Sequence, residues 1–233
     1  MPLPATTGQL RVNIANMEIG DYIKVSIIAA NSWSTCLTAK ELGYPECALT
    51  GATSGNRFFY FIKVAKGILV GDRIIIHSYS WDTMNSQKIV QGLPLTISDH
   101  NTSGILRSLT GGVAFADVNG NKSLTEQGYG GWPSNNEWDK YIMNFPKDKI
   151  SSGKELDDVF HFTRNAQKST GAYTWCQDTP IVSIAPSTNR VLRSGKYIHG
   201  DGIEKIPAPG HGNATSNIGA AYAGFRPVFE YEE

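Results

Sequence analysis

Four oxygen-bearing side chains alternate in the stretch DVNGNKSLTE: Asp117, Asn119, Asn121 and Ser123. On a tight loop such an alternation can aim its oxygens at one hard cation, the way Ca²⁺ is held in proteins. The EF-hand spacing would require Gly where the chain has Lys122 and a bidentate Glu where it has Gly128. The competing reading is an Asn-Gly turn within a hairpin, which needs no ion and is the stronger of the two. Asp117, Asn119 and Asn121 are therefore the candidate calcium ligands, with the turn as the alternative. A second acidic group, Glu155, Asp157 and Asp158, sits in GKELDDVF. A glycosidase needs two carboxyls at a defined separation, and no partner acid can be assigned, so a solvated turn before a strand is expected here.

Other chemistries find little support. The histidines His77, His100, His161, His199 and His211 are scattered, without His-x-x-x-His or Cys/His metal spacing. No serine occupies a Gly-x-Ser-x-Gly elbow, and no glycine-rich phosphate loop leads into a helix. Cys36, Cys47 and Cys176 are too few for a disulfide framework and read as free thiols. The long loop between Gly195 and Ala223, rich in Gly, His, Asn and Pro, is the better place to look. Loops of that length within a domain usually carry function or are disordered. It offers Tyr197, His199, Asp201, His211, Asn213 and Tyr222, whose rings can stack and whose Asn and His groups can form directional hydrogen bonds. The alternative is that they cover the fold or pack against a neighbouring subunit.

The elements that must position these residues are mostly strands. LRVNIAN, GDYIKVSIIAA, RFFYFIKVA, DRIIIHSYS, AYTWCQD, IVSIA, NRVLRSG and AGFRPVFEY read as strands between Gly, Asn, Ser and Pro clusters, while residues 30–56 read as loops. Two short helices are expected. One starts at SYSWDTMNSQKIVQG, with Ser80 as cap, Asp82 in the first turn and Gly92 at the end. The other is WPSNNEWDKYIMN, where Ser134 and Glu137 have capping-box spacing and Trp138, Tyr141 and Ile142 share one face. Trp132, Trp138 and Trp175 are assigned to the core. The class is α+β, mostly β.

With 21 basic and 21 acidic residues, the chain of 233 has no basic footprint for nucleic acid or an anionic membrane. A net charge of zero gives little protection against self-association, which suits a protein of an assembly. No run is long enough to span a membrane, and the N-terminal stretch lacks the basic start and apolar run of a secretion signal. Synthesis in a cytoplasm without export by the usual route is expected.

Four pieces in order, SWDTMNSQKI, GGWPSNNEWDKYI, NRVLRSGKYI and AGFRPVFEY, resemble the C-type-lectin-like fold in its sulfatase-modifying-factor form. Ser194 stands where that family's strand motif has its first Gly, and Asn135 and Asn136 replace the more usual residues before Glu137. The resemblance implies a small N-terminal β segment or domain over 1–68 and a lectin-like module with two short helices over 69–233. It implies that the terminal strands pair, with Gly224 for a tight turn, Phe225 in the core and Arg226 facing an interior carboxylate. The enzymatic branch of that family generates formylglycine with paired cysteines late in the domain. No cysteine follows Cys176, so an enzyme of that kind is not expected. The family's ligand surface lies on the loops before the last strand, which nominates Tyr197, His199, His211, Asn213 and Tyr222.

Over nearly the whole chain, MEIGDYIKVS, FYFIKV, DRIIIHSYSWDTMN, LRSLTGGV, NEWDKYI and GFRPV are similar to tail-associated structural proteins of phages of Gram-positive bacteria. The expectation is a non-enzymatic virion protein of tail, baseplate or fibre tip. Its expected partners are other virion proteins, further copies of itself, and a bacterial surface glycan or protein, with no nucleic acid and no membrane insertion. Calcium is the one cofactor left open. The alternative is a capsid decoration or assembly protein that uses the fold only for subunit contacts.

Overall fold

The run RFFYFIKVA forms strand β3 (Arg57–Ala65), and YIKVSIIA forms β1 (Tyr22–Ala29) antiparallel to it, with Tyr22 opposite Ile62 and Ile27 opposite Arg57. The computed structural model describes residues 3–29, 32–35, 47, 57–97, 102–162, 172–194, 197–198, 204–205 and 210–233. A barrel closes through β2 (Ser32–Thr35), β4 (Ile68–Gly71), β6 (Leu93–Ile97), β7 (Thr102–Arg107) and β17 (Val228–Tyr231), in the order β1-β2-β6-β7-β17-β4-β3. The apolar run of β3 is nearly continuous because its wall is buried on both faces. Phe59 and Phe61 enter one core with Leu69 and Phe229, while Tyr60, Ile62 and Val64 enter a second core with Val70 and Val228.

A five-stranded sheet lies beside the barrel. Its strands are β15 (Gly210–Thr215), β12 (Asn189–Ser194), β11 (Tyr173–Trp175), β16 (Ala223–Phe225) and β5 (Ile76–His77), in that order. A small sheet orders β10 (Gly131–Trp132), β8 (Ala114–Ala116) and β9 (Lys122–Ser123), and β13 (Tyr197–Ile198) pairs with β14 (Glu204–Lys205). Helix α1 (Trp81–Ser86) starts at Ser80, whose Oγ accepts from Thr83 N as the sequence led one to expect. The fold is mostly β with a few short helices. Among the described residues, no helix is long and apolar enough to cross a membrane.

Several elements differ from the sequence reading. AGFRPVFEY is two strands in two sheets: β16 ends at Phe225, and β17 resumes after Pro227, which lacks an N–H for the ladder. β17 lies between β7 and β4, so the last strand does pair with the strand that opens the 69–233 segment. The boundary drawn at 68/69 falls at the β3–β4 hairpin, and strands from both sides of it share the barrel. Residues 14–16 of LRVNIAN form a 3-10 turn capped by Asn13, and IVSIA is a turn rather than a strand. Only Ile76 and His77 of DRIIIHSYS are strand. Ser32–Thr35 is strand inside the region read as loops.

The second expected helix is a π-helical segment, Trp138–Met143, whose N-cap is Glu137, and Ser134 is not its cap. The cap bond comes instead from Asn136, whose Oδ1 accepts from Asp139 N at 3.0 Å. GKELDDVF, read as a solvated turn, makes helix α2 (Leu156–Phe160) with a Glu155/Asp158 capping box, and Asp157 is buried. Trp138 and Trp175 are core, whereas Trp132 is half-buried beneath the Lys122 ammonium. Cys47 and Cys176 are buried, and Cys36 lies outside the described residues.

Candidate ligand surface

The charged residues of the most distinctive sequence motif turn inward. Asp139 receives Arg193 with two prongs, Nη2 to Oδ1 at 2.5 Å and Nη1 to Oδ2 at 3.2 Å. Arg193 Nη1 also donates to Gly111 O, and Asn136 Nδ2 donates to Pro133 O, Gly131 O and Asp139 Oδ2. Glu137 accepts both Nη groups of Arg107 and the backbone N–H of Thr110. The NNEWD segment thus ties together loop 108–112, β10 and β12. These paired, hydrogen-bonded charges fix geometry, since a buried charge is tolerated only when it is fully satisfied.

Arg226 is fully buried, with its guanidinium near the rings of Trp138 (5.8 Å) and Phe162 (5.7 Å). The interior carboxylate expected for it is absent among the described residues at ion-pair distance. It donates instead to Gly71 O, His161 O and Thr174 Oγ1. Burial pulls its pKa down to about 9, so it stays charged at neutral pH, with Asp72 and Asp157 as the acids whose charge favours it. Gly224 is not at a tight turn: a Cβ there would meet Ile76 O at 2.1 Å, so its role is close approach of β5.

At the candidate calcium stretch the carboxylate of Asp117 is already engaged. Its Oδ1 accepts from Asn119 N and Asn121 N, both at 2.8 Å, and its Oδ2 accepts from Asn121 Nδ2 at 3.3 Å. With Gly120 at φ 78°, this is the turn of the β8–β9 hairpin. The bond from Asn121 leads the interactions that hold the Asp117 carboxyl below its usual range. Among the described residues, no three His, Cys, Asp or Glu side chains converge on one point.

The nominated loop residues separate. His211 is buried, edge-on to Phe115 at 5.0 Å, with Nε2 bonded to Gly112 O at 3.2 Å. Burial, with help from the Arg193 charge, pushes its pKa down to about 4. It is a packing residue, and a ligand cannot reach its ring. Asn213 Oδ1 is half-buried and accepts from Asn189 Nδ2 at 2.7 Å, a bond across the β12–β15 ladder. The backbone of Tyr197 is in β13, opposite Lys205. His199 and Asp201 lie outside the described residues.

Tyr222 does reach the surface. It is 45% exposed and rests edge-on against Tyr173, with centroids 5.9 Å apart, and its carbonyl accepts from Tyr173 N. Two residues not singled out in the sequence are also exposed here, Ile218 at 55% on the same short loop and Tyr79 at 39% on the segment before α1. Loop 216–222 is pinned to the start of α1: Ser216 Oγ donates to Asp82 Oδ2, Asp82 N to Ser216 O, and Ser78 N to Ala220 O. The exposed side chains of Tyr79, Ile218 and Tyr222 are thus carried by two segments tied to each other, a shared ledge in the sense of common backbone support, and His77 Nδ1 meets Ser78 Oγ at 2.8 Å. Such a ledge can stack against the flat face of a sugar or an apolar side chain. The signal for Tyr79 was in the sequence: it directly precedes the cap Ser80, which places it outside the helix it introduces. No family model, curated protein or solved structure matches the chain.

Proposed function

We propose that this chain is a non-enzymatic structural protein of a phage virion, a tail, baseplate or fibre-tip component built on a lectin-like module, that contacts the host cell surface through the Tyr79–Ile218–Tyr222 ledge. The observation that carries the binding role is the ledge itself: exposed Ile218 and Tyr222 on a loop tied to the start of α1, with exposed Tyr79 on the segment to which that loop is tied. Ordered aromatic surface of this kind binds with little loss of side-chain freedom. Support for the virion setting is the ordered series of phrases from MEIGDYIKVS to GFRPV. The sequence nominates Tyr197 and His199 for the same role, and repetition of the module in a homo-oligomer would add avidity.

The test is binding of the labelled, purified protein to a panel of intact Gram-positive cells. Saturable binding to at least one strain is expected. Absence of binding to every strain, together with recovery of the protein in capsid rather than tail fractions of disrupted particles, would replace this reading by the capsid-decoration one.

A further inference from the structure

On another part of the molecule, the chain between the π-helical segment and α2 encloses a groove of about 650 Å³. Its apolar lining comes from Met143, Phe145, Pro146, Ile150 and Leu156. Phe145 is fixed from behind, edge-on to Phe160 at 5.3 Å, so the floor is not free to collapse. Two ammonium groups, Lys147 and Lys154, line the same groove, and neither is ion-paired among the described residues. The one carboxylate in the lining, Glu155, belongs to the capping box of α2. The volume is that of a site for a small organic molecule, and an apolar floor with a few charged groups at its rim is how such sites are composed.

The geometry points to a binding site for a single-chain anionic amphiphile, a medium-length aliphatic carboxylate whose chain lies on the Phe145–Ile150–Leu156 floor and whose head is held between Lys147 and Lys154. Charge complementarity selects this occupant over a cationic or neutral one. An exposed ammonium offers little on its own, so the apolar floor must supply most of the affinity and the lysines the choice of sign.

Isothermal titration of the full chain with monomeric decanoate, below its aggregation concentration, tests this. One decanoate per chain is expected to bind saturably, acetate and decyltrimethylammonium are not, and Lys147→Glu with Lys154→Glu is expected to weaken decanoate by about tenfold. Both lysines are exposed, so the doubly substituted chain is expected to keep its thermal midpoint, which controls for folding. The second variant, Ile150→Asp, is expected to abolish binding by placing a charge on the floor. Equal binding of decanoate and decyltrimethylammonium, unaltered affinity in the lysine variants, or capture only by anionic vesicles with none of the monomer would overturn the proposal.

Discussion

Arg226 shows how a buried cation is kept without a carboxylate in contact. Three neutral acceptors take its protons and two aromatic rings flank its plane. Arg226→Ala is expected to cost about 3–5 kcal/mol in urea unfolding, because it opens a cavity and leaves two carbonyls and a hydroxyl without their donor. Arg226→Lys should recover little of it, since an ammonium lacks the planar fork. His211 makes a pH prediction. Its folded pKa, about 4, lies below the ordinary value of 6.5, so between these pH values the unfolded chain binds the extra proton and stability falls as pH falls. One pH unit of displacement corresponds to about 1.4 kcal/mol, so the loss amounts to roughly 3 kcal/mol. Burial lowers His161 in the same direction. Urea midpoints at neutral and mildly acidic pH should show a smaller acid loss in His211→Gln than in the parent; equal losses would contradict the assignment. Asp117 is read as a turn residue, so Asp117→Ala should lower the thermal midpoint equally with calcium and with a chelator.

Among the elements, the long apolar runs were the most legible. RFFYFIKVA forms a strand where the sequence placed it because both of its faces meet apolar neighbours, and NRVLRSG is strand over Asn189–Ser194, with Leu192 in the first core and Arg193 held by Asp139. The Ser80 cap was equally plain, since its bond is local. What failed depended on distant partners. LRVNIAN has the right alternation but, among the described residues, meets the sheet through a single bridge, Leu10 to Tyr22, and then turns. The acids of GKELDDVF looked solvated, yet Asp157 Oδ1 accepts from Phe162 N inside the fold. Of the nominated residues, Tyr222 is exposed as a surface role requires, whereas the burial of His211 was not legible because it is imposed by Phe115 and by the Gly112 carbonyl from far along the chain. Gly224 tests the element scale. With β16 pressed against Ile76 O, Gly224→Ala should lose roughly 2 kcal/mol or more by forcing β5 away, read as a fall in the thermal midpoint.

At the scale of the whole molecule, the barrel draws strands from both ends of the chain, and its wall serves two cores at once. The charged motif residues are spent inside this frame, where Arg193, Asp139, Glu137 and Arg107 hold loops to strands. That leaves the ledge on loop 216–222 as the surface on which the binding account stands. The measurement that tests it most directly compares the parent with the Tyr79→Ala, Tyr222→Ala double variant for saturable binding to a Gram-positive strain that the parent binds. Both rings are substantially exposed, so the variant should keep its thermal midpoint within a few degrees. The account predicts that binding then falls by about tenfold or more. Undiminished binding by the folded double variant would contradict it.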